Sequence, residues 1–234
     1  MRFLRFFSLL PLFVAPLFFG IREARASVDY CKVTEIFGRV EIQESGGDRW
    51  LPLLVPRLLR GGDKLRTFQR SHAELSASAD CSGLMHLGSD SKLEVMGEDL
   101  TRFFLRRGIF FILREQDGNA LSLQRREEAL FQIFTPDMAV DFLQGGISLH
   151  VDENGTWLRV FSEHAKAGSF NVRNEKVFSL MVAEGFKLFM AASSNPSTAH
   201  PTRMHFADYR QWQSWVKECY DKKDGLERNF LAKD

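Results

Sequence analysis

Beyond about residue 30 the chain is dominated by one-by-one alternation of apolar and polar side chains. Val40 and Ile42 flank Glu41. Ala73, Leu75 and Ala77 fall on one side of a run whose other side carries His72, Glu74 and Ser76. Leu93 and Val95 alternate with Lys92 and Glu94, and Ile147, Leu149 and Val151 with Ser148 and His150. A period of two places one side of a pleated strand in a core and the other in water. Turn residues punctuate these runs at Gly46-Gly47-Asp48, Gly61-Gly62-Asp63, Gly88-Ser89-Asp90, Asp117-Gly118-Asn119, Gly145-Gly146, Glu153-Asn154-Gly155 and Glu184-Gly185. Glycine supplies positive φ, and Asp or Asn bonds the local backbone. The pattern predicts an all-β domain of many short strands, in a sandwich or a solenoid-like stack. Arg107-Gly108, between TRFFLR and IFFILR, predicts a hairpin.

The texture changes after Ala192. Ser193–Thr202 is small and polar with two prolines, and residues 193–203 read as a linker. Phe206, Tyr209, Trp212, Val216 and Cys219 then recur every three or four positions, predicting an amphipathic helix over about Tyr209–Lys222 within a C-terminal segment, 204–234. Asp208 with Gln211 resembles a capping box, and Gly225 reads as a stop.

The other end predicts an address. Arg2 and Arg5 precede a Phe- and Leu-rich stretch, and Ala24-Arg25-Ala26 offers the small residues of a cleavage site. This is a secretory signal peptide, 1–26, cut before Ser27; the alternative is an uncleaved anchor. The expected setting is the bacterial periplasm or exterior, with no membrane span once the signal is removed. Residues 27–192 form the β domain. The full chain has 22 Phe residues, enough for an ample core, and its net charge of +1 gives no reason to expect nucleic acid as a partner.

Export permits disulfides. Cys31 and Cys81 pair in one reading, closing a loop worth roughly 4 kcal/mol; in the other, these two and Cys219 are reduced and buried. No two cysteines have metal-ligand spacing.

The order of the pieces resembles the FecR domain. GRV at Gly38–Val40, Trp50-Leu51, LLRGGDKLRT at Leu58–Thr67 and SHAEL at Ser71–Leu75 are similar to that family's successive motifs. So are LGSDSKLEV at Leu87–Val95, FQIFTPDMAVDFLQGG at Phe131–Gly146, VAEGFKLFM at Val182–Met190 and the closing FADYRQWQSW. Ile147, where the family has Thr after Gly, and the Cys81-Ser82-Gly83 turn depart from the pattern. The resemblance implies a stand-alone exported FecR domain acting as an interaction or sensing module, without the anti-sigma region of the family's regulators.

Candidate chemistry is sparse. The chain has no H-E-x-x-H, G-x-S-x-G or phosphate-loop motif, so no catalytic residue, metal ligand or cofactor is expected. His72, His86 and His150 fall in or near strands, where they can meet. Asp137 and Asp141, and the adjacent pairs Glu98-Asp99 and Glu127-Glu128, are the acids to test against the two-carboxylate chemistry of glycan cleavage; as patterns they read as solvated faces. Gly61-Gly62-Asp63 is either a ligand loop or a chain corner. Arg102, Arg106, Arg107 and Arg114 surround an aromatic run, and either grip an acidic partner or glycan or rim a buried Phe face. Trp212 and Trp215 either present a partner surface or dock the helix on the β domain. The expected function is binding of an envelope protein through edge strands and loops; peptidoglycan or another envelope glycan is the alternative ligand.

Overall fold

The computed structural model describes residues 31–77, 83–97, 101–114, 131–170, 176–192 and 199–231. Among them, seventeen strands precede one helix. The first eight strands are β1 (Cys31–Phe37), β2 (Val40–Gln43), β3 (Leu51–Pro52), β4 (Arg57–Leu58), β5 (Lys64–Thr67), β6 (His72–Ala77), β7 (Gly83–Leu87) and β8 (Lys92–Met96). Then come β9 (Arg102–Arg114), β10 (Phe131–Phe134), β11 (Ala139–Phe142), β12 (Gly145–Asp152) and β13 (Gly155–Ser162). The rest are β14 (His164–Phe170), β15 (Lys176–Ala183), β16 (Phe186–Ala191), β17 (Thr202–Arg203) and the helix α1 (Phe206–Leu231).

The strands form two sheets around one core. The first runs β4-β1-β6-β7-β9-β12-β13-β16-β17, and the second β3-β2-β5-β8-β9-β10-β11-β14-β15. Neighbours are antiparallel except β9 and β10. Most successive strand pairs alternate between the sheets, which gives the sandwich a stacked character. Alternation in sequence becomes alternation in burial: β8 buries Leu93 and Val95 and turns Lys92, Glu94 and Met96 outward. Val33, Leu75, Met85, Ile112, Leu149 and Leu188 of the first sheet meet Leu65, Val95, Leu105, Ile133, Val140 and Val182 of the second in one apolar cluster.

β9 belongs to both sheets, and this corrects the hairpin predicted at Arg107-Gly108. The chain does turn there, but the two arms do not pair with each other. Residues 102–107 pair with β8, and residues 108–114 with β12 and partly with β7. The bend is sharp. Phe103 and Phe110 are seven residues apart, roughly 23 Å along a straight strand, yet their ring centroids are 5.7 Å apart. Gly108 takes φ +94°, and a Cβ there would lie 2.0 Å from Ser91 Oγ. Ser91 Oγ accepts the Ile109 N–H at 2.9 Å and so fastens the corner.

The helix is longer than predicted at both ends. It runs through Gly225 because an isolated glycine lowers helix propensity by only about 1 kcal/mol without forcing a stop. Asp208 lies inside the first turn rather than before it. Its carboxylate reaches back to accept the His205 N–H at 2.9 Å, the returning half of a capping box. Residues 202–203, placed in the linker by composition, pair with Phe186 and Lys187 as β17. Among the described residues no helix is long and apolar enough to cross a membrane.

Gly108→Ala is expected to destabilise the fold by about 3 kcal/mol, combining left-handed backbone strain with the clash against Ser91. A urea denaturation midpoint measures it, and Gly46→Ala, at φ +76° with open space where the Cβ would sit, separates the strain from the clash.

Candidate interaction site

The outer face of the first sheet is covered by α1. The registers align Glu74, His86, Phe111, Ser148, Arg159 and Lys187 in one row across six strands. The first turns of the helix lie along this row and are tied to each end of it. Near its start, Asp208 accepts hydrogen bonds from Arg159 Nε at 3.0 Å and Lys187 Nζ at 2.8 Å. Further along, Trp215 Nε1–H donates to Glu74 at 3.2 Å. Between these ties Trp212 stacks on Phe161 at 4.4 Å, and Trp215 on Phe111 at 5.6 Å. Trp212 and Trp215 are 8% and 5% exposed, so both are used in docking the helix. Gly146 makes room for it: a Cβ there would sit 2.2 Å from the Trp212 ring.

Two of the three strand histidines meet. His72 and His86 rings are 5.1 Å apart, and His86 Nδ1 lies 2.6 Å from Glu74. Burial lowers the His72 pKa, and the neighbouring His86 lowers it further. His150 pairs instead with Ile109 and Trp157. Among the described residues no group of three His, Cys, Asp or Glu is placed to hold a metal. Asp137 accepts the Thr156 hydroxyl at 2.7 Å, and Asp141 the Gln132 amide at 3.1 Å, so these two acids serve separate contacts. Glu98-Asp99 and Glu127-Glu128 lie outside the described residues.

Gly61-Gly62-Asp63 is a corner. Asp63 is buried, and its carboxylate accepts the N–H groups of Ser45 at 2.8 Å and Arg60 at 2.9 Å. Cys31 is buried at the start of β1, and burial pushes its thiol up to about 12. Cys81 and the side chain of Cys219 lie outside the described residues, and the Cys31–Cys81 pairing stays an expectation of the sequence.

The four arginines of β9 do not converge. Arg102 and Arg106 stand on the outside of the second sheet, and Arg106 pairs with Glu94 at 2.9 Å. Arg114, at the other end of the strand, lies over Phe131. Arg107 does enter a cluster, with residues that the sequence alone did not single out. Across the outer face of the second sheet, Glu41, Arg66, Lys92 and Arg107 occupy one cross-strand row. Arg39 grips one Glu41 oxygen through Nε at 2.9 Å and Nη2 at 2.6 Å. Arg66 grips the other through Nε at 2.7 Å, with a second bond from Nη2. The Arg39 hydrogen bond holds the Glu41 pKa below the usual range against its burial, and Arg66 adds to it. Arg66 also lies 4.3 Å over Trp50 and Arg39 4.2 Å over Phe68. Arg66, Thr67, Phe68, Ser91, Lys92 and Arg107 line a concavity of about 340 Å³.

A second feature adjoins this row. Residues 51–59 join the outermost strands of the two sheets, β3 and β4. Leu53 and Leu59 point inward. Leu51, Leu54 and Leu58 point out, at 48%, 81% and 58% exposure, with Val55 beside them. The run LPLLVPRLL breaks the alternation seen elsewhere, and that break was the available sequence signal.

No family model and no curated protein matches the chain. Its backbone is similar to two crystal structures of a candidate anti-sigma factor from Parabacteroides distasonis ATCC 8503. One, at 2.50 Å resolution, is 12% identical with a TM-score of 0.45, over 60% of this chain and 59% of that one. The other, at 1.65 Å resolution, is 10% identical with a TM-score of 0.46, over 64% of each chain. The chain therefore spans less than two thirds of the length of either.

Two outcomes follow for the helix. The Asp208 pKa would be raised by burial, but Lys187, the His205 N–H and Arg159 bring it down to about 2. A carboxylate depressed in the folded state stabilises above its unfolded pKa, about 4, and loses that contribution as pH falls towards 2. Tryptophan fluorescence should therefore report helix release between those values, and Asp208→Asn should weaken docking already at pH 7. Gly146→Val should push Trp212 away. Limited proteolysis of 206–231 is expected to accelerate while the β core keeps its cooperative melt; an unchanged cleavage rate would contradict the docking geometry.

Proposed function

We propose that the protein is a non-catalytic, FecR-type interaction or sensing module of the bacterial cell envelope that binds a protein partner through its edge strands and loops. The exposed turn at Leu51–Leu58 carries this reading. Burying a leucine side chain is worth roughly 2 kcal/mol. Three exposed leucines within eight residues, where the outer edges of both sheets come together, are better explained by a partner than by folding. Edge strands also hold unpaired backbone donors and acceptors that a partner strand can take up. β3 and β4 each contribute only two residues, so side-chain contacts would carry most of the affinity there. β15, eight residues long, offers a longer edge: among the described residues it forms a ladder only with β14. The motifs shared with the FecR domain support the module, and the exported N-terminal pattern supports the envelope setting.

In-cell photo-crosslinking tests the proposal. A crosslinking residue at position 54 should capture a discrete envelope protein. The same residue at Glu153, on the exposed β12–β13 turn, should not. Leu58→Glu should reduce the capture at position 54 by at least fivefold with the melting temperature unchanged. Equal adducts at both positions, or none at position 54, would remove the support for this edge.

A further inference from the structure

We propose that the concavity on the outer face of the second sheet is a binding site for the carboxylate of an acidic saccharide, with Lys92 and Arg107 as its anion-binding residues. The argument begins with an electrostatic imbalance. Residues directly opposite on neighbouring antiparallel strands have Cβ atoms about 5 Å apart, and like charges in such positions destabilise a sheet. Here Arg66 is opposite Lys92, and Lys92 is opposite Arg107. Arg39 adds a fourth cation. Glu41 is the one carboxylate in the row, and both of its oxygens are taken by Arg39 and Arg66. Neither Lys92 nor Arg107 has an ion-pair partner among the described residues. The fold thus maintains an uncompensated pair of cations at a concave surface, and an anion would remove the repulsion.

The site is organised before anything binds. Cation–π contacts with Trp50 at 4.3 Å and Phe68 at 5.2 Å hold the Arg66 guanidinium in place, and Glu41 accepts its Nε–H. Lys92 Nζ lies 5.6 Å from the Trp50 ring. Arg107 is set by the Gly108 corner and reaches the same concavity as Phe68 and Lys92. Arginine presents a planar fork that matches a carboxylate, whereas the lysine ammonium acts as a compact point charge.

The size and lining favour a saccharide over a peptide. About 340 Å³ is at the small end of small-molecule sites. The lining has one aromatic ring and three cations over a floor where Thr67 and Ser91 are buried, with no aliphatic pocket for a peptide anchor. On its far side Arg107 borders a wider hollow with Asp90, Asp152 and Glu153 on its wall. A long polyanion extending that way would meet like charge, so the site suits a short acidic sugar unit.

The test uses the purified chain and trigalacturonate, followed by calorimetry at low and physiological salt. Binding is expected, with at least tenfold loss at the higher salt. The methyl ester of the same trisaccharide should bind at least tenfold more weakly. Lys92→Gln with Arg107→Gln should abolish binding, Arg107→Lys should retain part of it, and Arg203→Gln, at the exposed β17, should leave it unchanged. The proposal is overturned by absence of binding, by equal binding of the ester, by survival of binding in the double variant, or by tighter binding of a triglutamate peptide. The ester and peptide comparisons use the unaltered chain, so they hold even if the double variant fails to fold. This surface is distinct from the Leu51–Leu58 turn, and either assignment can fail without the other.

Discussion

The structure depends on one strand serving two sheets. β9 leaves the second sheet and enters the first at Gly108, and the corner is closed by side chains rather than by a loop. Ser91 occupies the space a Cβ at position 108 would need, and its hydroxyl takes the Ile109 N–H. Thr67 is the next link: its hydroxyl donates to Gly88 O and accepts the Ser91 N–H at 2.9 Å. Both hydroxyl residues are buried, so an unmade bond there would carry the full desolvation cost of a polar group, about 1–3 kcal/mol. The bend thereby sets the register of β8 against one arm and of β12 against the other. It also turns Arg107 outward beside Lys92, so the fold's corner and its cationic surface have the same origin.

The two outer faces are used differently, and the difference follows from their rows. The first sheet places Phe111 and Phe161 on its outside, which no isolated domain leaves wet at little cost. α1 answers that need with Trp212 and Trp215, and the polar residues at either end of the apolar strip fix its position. Asp208 meets the cations of β13 and β16, and the Trp215 indole meets Glu74. The second sheet places Glu41, Arg66, Lys92 and Arg107 outside, a row that needs no helix and that water or an anion can satisfy.

Much of this was legible because strand alternation is a local property. Leu93 and Val95, or Ala73 and Leu75, declare an inward face without reference to any partner strand. The helical stripe of Trp212 and Trp215 was equally local, as was the Asp63 corner. What sequence could not supply was pairing. Gly108 announces a turn, but whether its arms pair with each other or with different sheets depends on β8 and β12, distant in the chain. For the same reason four separated residues, Glu41, Arg66, Lys92 and Arg107, gave no hint of a common row. The β9 arginines looked like a cluster because they are near in sequence. A strand spreads neighbours along its length and between its faces, and only Arg107 reached the concavity.

Register also joins the two candidate surfaces. Pro52 of β3 is opposite Glu41, so the β3 edge is the next step beyond the cationic row. Trp50 stands at this junction, immediately before Leu51 and beneath the Arg66 guanidinium. Its indole has one ring in contact with the charged row and a chain neighbour in the exposed leucine turn. The surface therefore grades from apolar at the edge to cationic on the sheet, with no acidic residue free of a partner along the Glu41–Arg107 row. A protein partner on the turn would bring its apolar centre to Leu54 and Leu58 and leave the cationic row beyond Trp50 open to an anion. The reverse placement would set its apolar groups against unpaired cations. The gradient thus gives orientation as well as attraction, since charge arranged on one side of an apolar patch favours one docking direction over its reverse.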